Sequence, residues 1–163
     1  MVKSWKKHLP KNFIIIGIIL IILVLISFFI FNSKKNKYPD SLGLYIKGSG
    51  YYLEVAQTDK DQQKGLSQRN TLCRNCGMFF VFNKEDEHSF WMKDTHIPLD
   101  MIWLDSTGKI VKIITNAQTD SEYIYTNDQA AKYVIELNAD EALKLKLEVG
   151  DTIPLPSIDD FQE

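Results

Sequence analysis

Cys73-Arg74-Asn75-Cys76 holds the only two thiols of the chain, and three chemistries suit such a pair. It can close a tight turn as a disulfide, exchange disulfides with a partner, or give two ligands to a metal. A structural bridge needs least, because an even number of cysteines in an oxidising compartment pairs by default. Exchange chemistry wants a first cysteine of lowered pKa, commonly at a helix N-terminus. Here Gly77 onward reads as strand, so Arg69 and Arg74 would have to supply the positive field. Zinc normally takes four ligands, and His88 and His96 are spaced unlike any finger or ribbon. His8 lies before an apolar segment and does not contribute, so no metal or other cofactor is expected.

The second group is polar: Arg69, Lys93, Asp94, Thr95, Asp100 and Glu136, with Trp91 beside them in sequence. Paired carboxylates near a cation could move protons or hold a polar ligand, provided folding gathers them. The plainer reading is structural. Asp and Thr before a proline satisfy backbone groups in turns, and Glu136 on an apolar strand can pair with Arg69 or Lys93 in a buried ion pair. An unpaired carboxylate beside the most apolar strands would be expensive. The seven residues are therefore expected to form a pocket for a small polar group, with Trp91 as one wall and Glu136 orienting Arg69. No Ser-His-Asp order and no glycine-rich phosphate loop is present. Phe79, Phe80, Phe82, Phe90, Trp91 and Trp103 read as core. Tyr51, Tyr52, Tyr123 and Tyr125 could form an exposed platform for sugars or peptides.

The elements that must position these residues are mostly strands. Leu44 to Lys47, the turn Gly48-Ser49-Gly50 and Tyr51 to Gln57 form a hairpin pattern. Thr58 is placed to cap a short helix through Lys64, with Asp61 at its third position and Gly65 as its stop. Met78 to Phe82 is apolar on both faces and reads as a central strand. Ser89 to Met92, Asp100 to Leu104, Lys109 to Thr115 and Tyr133 to Leu137 follow as strands. Asn138 with Glu141 suggests a capping box for a helix to about Leu145, and Leu147 to Leu155 a terminal turn and strand. The expected fold is mainly β, a small β-barrel or strongly curved sheet with two short helices, since so apolar a sheet must close or be covered.

Before this domain runs Phe13 to Phe31, FIIIGIILIILVLISFFIF, without a charge. At about 1.5 Å per residue it spans roughly 28 Å as a helix, the thickness of a bilayer core. Lysines 3, 6, 7 and 11 precede it and lysines 34, 35 and 37 follow, with no small-x-small cleavage pattern and no nearby cysteine for lipid attachment. These flanks favour a retained anchor with a cytoplasmic N-terminus and the main domain outside the cell membrane. The chain thus divides into a basic N-terminus at 1–12, the transmembrane helix at 13–31, a short linker at 32–43 and a β domain at 44–163. Beyond residue 37 stand twelve basic side chains against twenty-one acidic ones. That balance excludes a nucleic-acid footprint and a domain lying on anionic lipid.

One family fits these residues. Val55-Ala56, Gly65-Leu66 with Arg69, Gly77-Met78-Phe79-Phe80-Val81-Phe82, and Phe90-Trp91-Met92-Lys93-Asp94-Thr95 with Ile97-Pro98-Leu99-Asp100-Met101-Ile102 resemble the signature blocks of domain-of-unknown-function family 192 (DUF192, UPF0127). Glu136-Leu137-Asn138-Ala139 and Val149-Gly150-Asp151 are similar to its C-terminal blocks. The resemblance implies a mainly β domain, often exported or membrane-anchored in bacteria and archaea, and no established activity. The chain departs from it at Ser67, where methionine is usual, at Asp94, where asparagine is, and at Asp140, where glycine often stands. The expected role is a binding or accessory module at the cell envelope. It would be held by the bilayer through Phe13 to Phe31 and meet a small polar ligand or an envelope protein. The alternative is a thiol–disulfide exchange enzyme using Cys73 and Cys76.

Overall fold

The computed structural model describes residues 41–156, together with Ile21 and Ile22, which are helical. Contacts divide the chain into Met1–Pro39 and Asp40–Glu163. The anchor at 13–31 lies outside the described residues except at Ile21 and Ile22, as do residues 1–12 and 32–40. Among the described residues no helix is long and apolar enough to cross a membrane.

Local sequence dictates the first elements. β1 (Ser41–Ile46) and β2 (Ser49–Ala56) form a hairpin, with Ile46 opposite Ser49. The loop is therefore two residues, Lys47 and Gly48, both at positive φ, shorter than the three-residue turn expected. Such a turn matches the right-handed twist of the strands it joins. The strand already begins at Ser41, so the end of the expected linker belongs to the sheet. Thr58 caps α1 (Asp59–Lys64) as expected, its hydroxyl accepting the Asp61 N–H at 3.1 Å, and the Gly65 N–H closes the helix on the Asp61 carbonyl at 2.8 Å.

The remaining strands are β3 (Cys76–Asp86), β4 (Leu99–Leu104), β5 (Ile110–Ala117) and β6 (Ala131–Asn138), and the sheet order is β1-β2-β3-β6-β4-β5. Among the described strands only β2 and β3 pair in parallel; their crossover carries α1 and residues 65–75. With β1 and β5 as free edges, the sheet is open and does not close into a barrel. The apolarity that suggested closure is met by covering both faces instead. One face packs Leu53, Phe79, Ile102 and Ile135 beneath Leu145, Leu147 and Ile153. The other packs Met78, Phe80, Met101 and Trp103 beneath Leu66, Met92 and Ile97. All six residues of β4 are buried, as a strand covered on both sides requires. Gly77 lets β3 approach β6: a Cβ there would collide with the Glu136 carbonyl and stand 2.8 Å from the Leu53 and Leu137 side chains.

Three expectations fail, two because only a single residue pair bridges where a strand was expected, and one because a side chain from a distant strand takes over a local cap. Ser89 to Met92 is not a strand; Phe90 makes one isolated bridge to Tyr125. Leu147 to Leu155 contributes only the bridge between Lys109 and Thr152. The helix α2 (Glu141–Lys144) is not capped by Asn138. Asp140 precedes it at φ 67, the left-handed value that glycine takes without strain, and the capping acceptor is Asp100 on β4. Asn138 instead donates to the Cys73 carbonyl at 2.8 Å.

Candidate functional site

Side chains alternate along a strand, so register fixes which residues share a face. Glu136 stands opposite Met78 of β3 on one side and Met101 of β4 on the other, in the middle of the second face. Its exposure is 4%. Its Oε2 is, among the described residues, the one buried side-chain polar atom without a hydrogen-bond partner. Burial pushes the carboxyl up to about 8, with the nearby Arg69 charge pulling it partly back. The group therefore holds its proton at neutral pH.

Above it opens a cleft of about 630 Å³. Its floor and back are Glu136, Phe80 and Phe82, and its walls are α1 with residues 65–67, Ser89 to Trp91, and Lys93 to Thr95. The α1 wall is fastened over β3 by Gln62, whose amide donates to the Val81 carbonyl at 2.8 Å. The other wall is aromatic: Phe90 meets Phe80 edge-on at 5.0 Å and Trp103 edge-on at 5.7 Å. Trp91 is half-exposed, with the Lys93 ammonium 5.4 Å from its ring centre and 3.4 Å from Glu122. Asp94 sits at φ 55, a conformation that aspartate and asparagine both tolerate, and its carbonyl accepts the Gln68 N–H at 2.6 Å. Thr95 is buried, its N–H bonded to the Met92 carbonyl at 3.1 Å and its carbonyl accepting from Asp120 at 3.1 Å. Ser67, where the family resemblance leads one to expect methionine, leaves the rim smaller and more polar.

Of the seven expected pocket residues, Trp91, Lys93, Asp94, Thr95 and Glu136 line this cleft; Arg69 and Asp100 do not. Arg69 is not oriented by Glu136. Both arms of its guanidinium go to Glu54 of β2, at 2.5 and 2.6 Å, and hold that carboxyl below its ordinary value. Asp100 points to the opposite face. Fully buried, it accepts N–H groups from Asn116 at 2.8 Å, Asp140 at 3.2 Å and Ala142 at 2.8 Å. It is the brace that joins β4, β5 and α2. The residues missed by sequence reasoning are Asp59, Gln62, Gln63 and Lys64 of α1, with Ser67 and Ser89. Phe80 and Phe82 carried a usable signal, since two aromatics two apart must face one side of a strand.

Cys73 and Cys76 are joined in a disulfide, and the Cys76 N–H returns to the Cys73 carbonyl at 3.0 Å. The turn is tied at both ends: Asn75 donates to the Gly50 carbonyl at 3.0 Å, and its own carbonyl accepts from Tyr52 at 2.8 Å. The tyrosine platform is not assembled. Tyr51 is buried, its hydroxyl donating to Glu141 at 2.6 Å, while Tyr123 and Tyr125 meet edge-on at 4.9 Å elsewhere. Among the described residues no three His, Cys, Asp or Glu side chains are grouped to hold a metal.

An acid kept neutral in a partly apolar cleft can donate to, accept from, or ionise against a bound group. The family model DUF192, described as uncharacterized ACR, matches residues 44–155. A crystal structure of a proposed transcription regulator from Sinorhizobium meliloti 1021 is similar at 32% identity, covering 69% of this chain and 88% of that one, with a TM-score of 0.62. A second, of a protein of unknown function from Novosphingobium aromaticivorans DSM 12444, is similar at 30% identity over 69% of this chain and 81% of that one, with a TM-score of 0.63. No curated protein matches the chain.

Proposed function

We propose a binding function from one premise: this chain belongs to the DUF192 family. The domain acts as a membrane-anchored, extracytoplasmic module that captures a small polar ligand in the cleft over β3 and β6. The observation that carries the binding role is Glu136, an acid buried on the floor of an open cleft with an unpartnered oxygen. A purely structural position would favour an apolar residue or a complete set of hydrogen bonds, because an unsatisfied buried polar group costs about 1–3 kcal/mol. What supports the anchor is the apolar run from Phe13 to Phe31 with its flanking lysines. The regulator description of the Sinorhizobium protein is not carried over as DNA binding, since twelve bases against twenty-one acids beyond residue 37 leave no basic stripe.

A thermal-shift screen of small polar compounds on the parent chain and on Glu136→Leu tests the binding role. Compounds that raise the parent's melting temperature and leave the variant's unchanged support it; a parent that no compound shifts refutes it. Protease added to intact spheroplasts should remove the domain and leave a small membrane fragment, and full protection would sink the anchored, outward topology. The exchange-enzyme reading finds little support, because Cys76 opens a strand and the positive field expected from Arg69 is tied to Glu54. Its measure is the redox potential of the bridge: a staple is expected to lie below about −300 mV, whereas an exchange pair sits higher.

A further inference from the structure

We propose, resting on the binding role above, that the cleft takes an organic cation: an ammonium or guanidinium head seated on Glu136, its apolar arm against Phe80, Phe90 and Trp91. Oε2 of Glu136 is shut away from water with no hydrogen-bond partner of either kind. The cations nearest to hand are already engaged. Arg69 holds Glu54 with both arms, and Lys93 is drawn to Glu122 and over Trp91. No basic side chain of the cleft, Lys64 included, bonds Oε2, so a donor brought by a ligand finds the position open, and charge-assisted donors bind a carboxylate most strongly.

Three further observations favour a cation over a neutral hydroxylated ligand. Asp59 and Asp94 on the rim have no ion-pair partner among the described residues, and Lys64 is the single basic lining residue in the same state. Aromatic ring faces attract positive charge, and the lining residue Trp91 already does so, with the Lys93 ammonium 5.4 Å from its ring centre. The acidic surplus beyond residue 37 draws cations toward the domain.

The binding step balances simply. The cation enters with its charge, the neutral Glu136 carboxyl releases its proton to the buffer, and a carboxylate–ammonium pair forms. One proton leaves per ligand bound. The charged groups facing Glu136 across this step are Arg69 after α1, Glu54 on β2, Asp59 and Lys64 on α1, and Lys93 and Asp94 on the opposite wall; Met78 and Met101 flank it without charge.

The test is calorimetric titration of the full chain in detergent with 2-phenylethylamine, 2-phenylethanol, phenylacetate and glucose from pH 6 to 9, in two buffers of different protonation enthalpy. The amine is expected to bind best, with affinity rising about tenfold per pH unit below pH 8 and levelling above, and with about one proton released at pH 7. Glu136→Gln should lower amine affinity at least tenfold at pH 8 and flatten the pH dependence. Trp91→Ala, at an exposed side chain, should weaken binding and leave the pH profile in place. If 2-phenylethanol, phenylacetate or glucose binds as well as the amine and releases no proton, the cation is wrong and the binding role stands. If none of the four binds, the cation inference falls, and the thermal-shift screen above decides the binding role. An amine that binds Glu136→Gln undiminished also overturns the inference. Should that variant not fold, the parent's proton release and pH slope decide alone.

Discussion

Asp100 and Glu136 are the two deeply buried acids on neighbouring strands β4 and β6, one residue apart in register, and they have opposite fates. Asp100 faces the side of the sheet covered by α2 and accepts three backbone N–H groups through both oxygens. Glu136 faces the cleft and leaves one buried oxygen without a donor. Burial by itself says nothing about role. What separates a brace from a candidate binding group is whether the buried carboxylate is satisfied by the fold, because an unsatisfied one is stabilised only by something the fold does not contain.

The comparison breaks most readily at Asp100. Asparagine keeps one acceptor and turns an NH₂ toward backbone donors, leaving at least one buried N–H unpaired. Asp100→Asn should destabilise the domain by about 3–5 kcal/mol in urea unfolding. A loss below about 1 kcal/mol would remove Asp100 from the scaffold.

Glu136 should move the other way. Glu136→Leu is expected to raise stability by about 2–3 kcal/mol at pH 7. The sign follows from linkage. The unfolded carboxyl titrates near 4.5 and the folded one near 8, so the folded state holds a proton that the unfolded state has lost. Stability is therefore full below pH 4.5, falls by about 1.4 kcal/mol per pH unit as pH rises toward 8, and is flat beyond. Glu54 and Glu141, whose values are lowered by Arg69 and by Lys144 with Tyr51, work against this at the acid end. Subtracting the Glu136→Gln pH profile isolates the slope, and a parent no steeper than that variant would show Glu136 to be ionised and partnered.

The smallest effect sharpens the contrast. Arg69→Met removes a half-exposed ion pair with Glu54 and should cost about 0.5–1 kcal/mol. It also removes the positive charge that restrains Glu136, so the Glu136 midpoint should move above 8 in a carboxyl NMR titration. An unmoved midpoint would place Arg69 outside the electrostatics of the cleft.

Consecutive residues determined the parts of this protein that consecutive residues can hold. The Thr58 cap, the Gly65 stop, the first hairpin and the apolar stretches of β3, β4 and β6 rest on hydrogen bonds and side-chain alternation within a few positions. The sequence also located the charged signature beside those stretches, and five of its seven candidates line one cleft. Strand order and register are long-range facts, and they decided the rest. The order β3-β6-β4 put Asp100 and Glu136 side by side, and alternation turned them to opposite faces. The parallel step from β2 to β3 brought Glu54 within reach of Arg69 before Glu136 could claim it. Asp100 displaced a local cap from forty-two residues away, because a buried carboxylate gains more from several backbone donors than a surface asparagine gains from one.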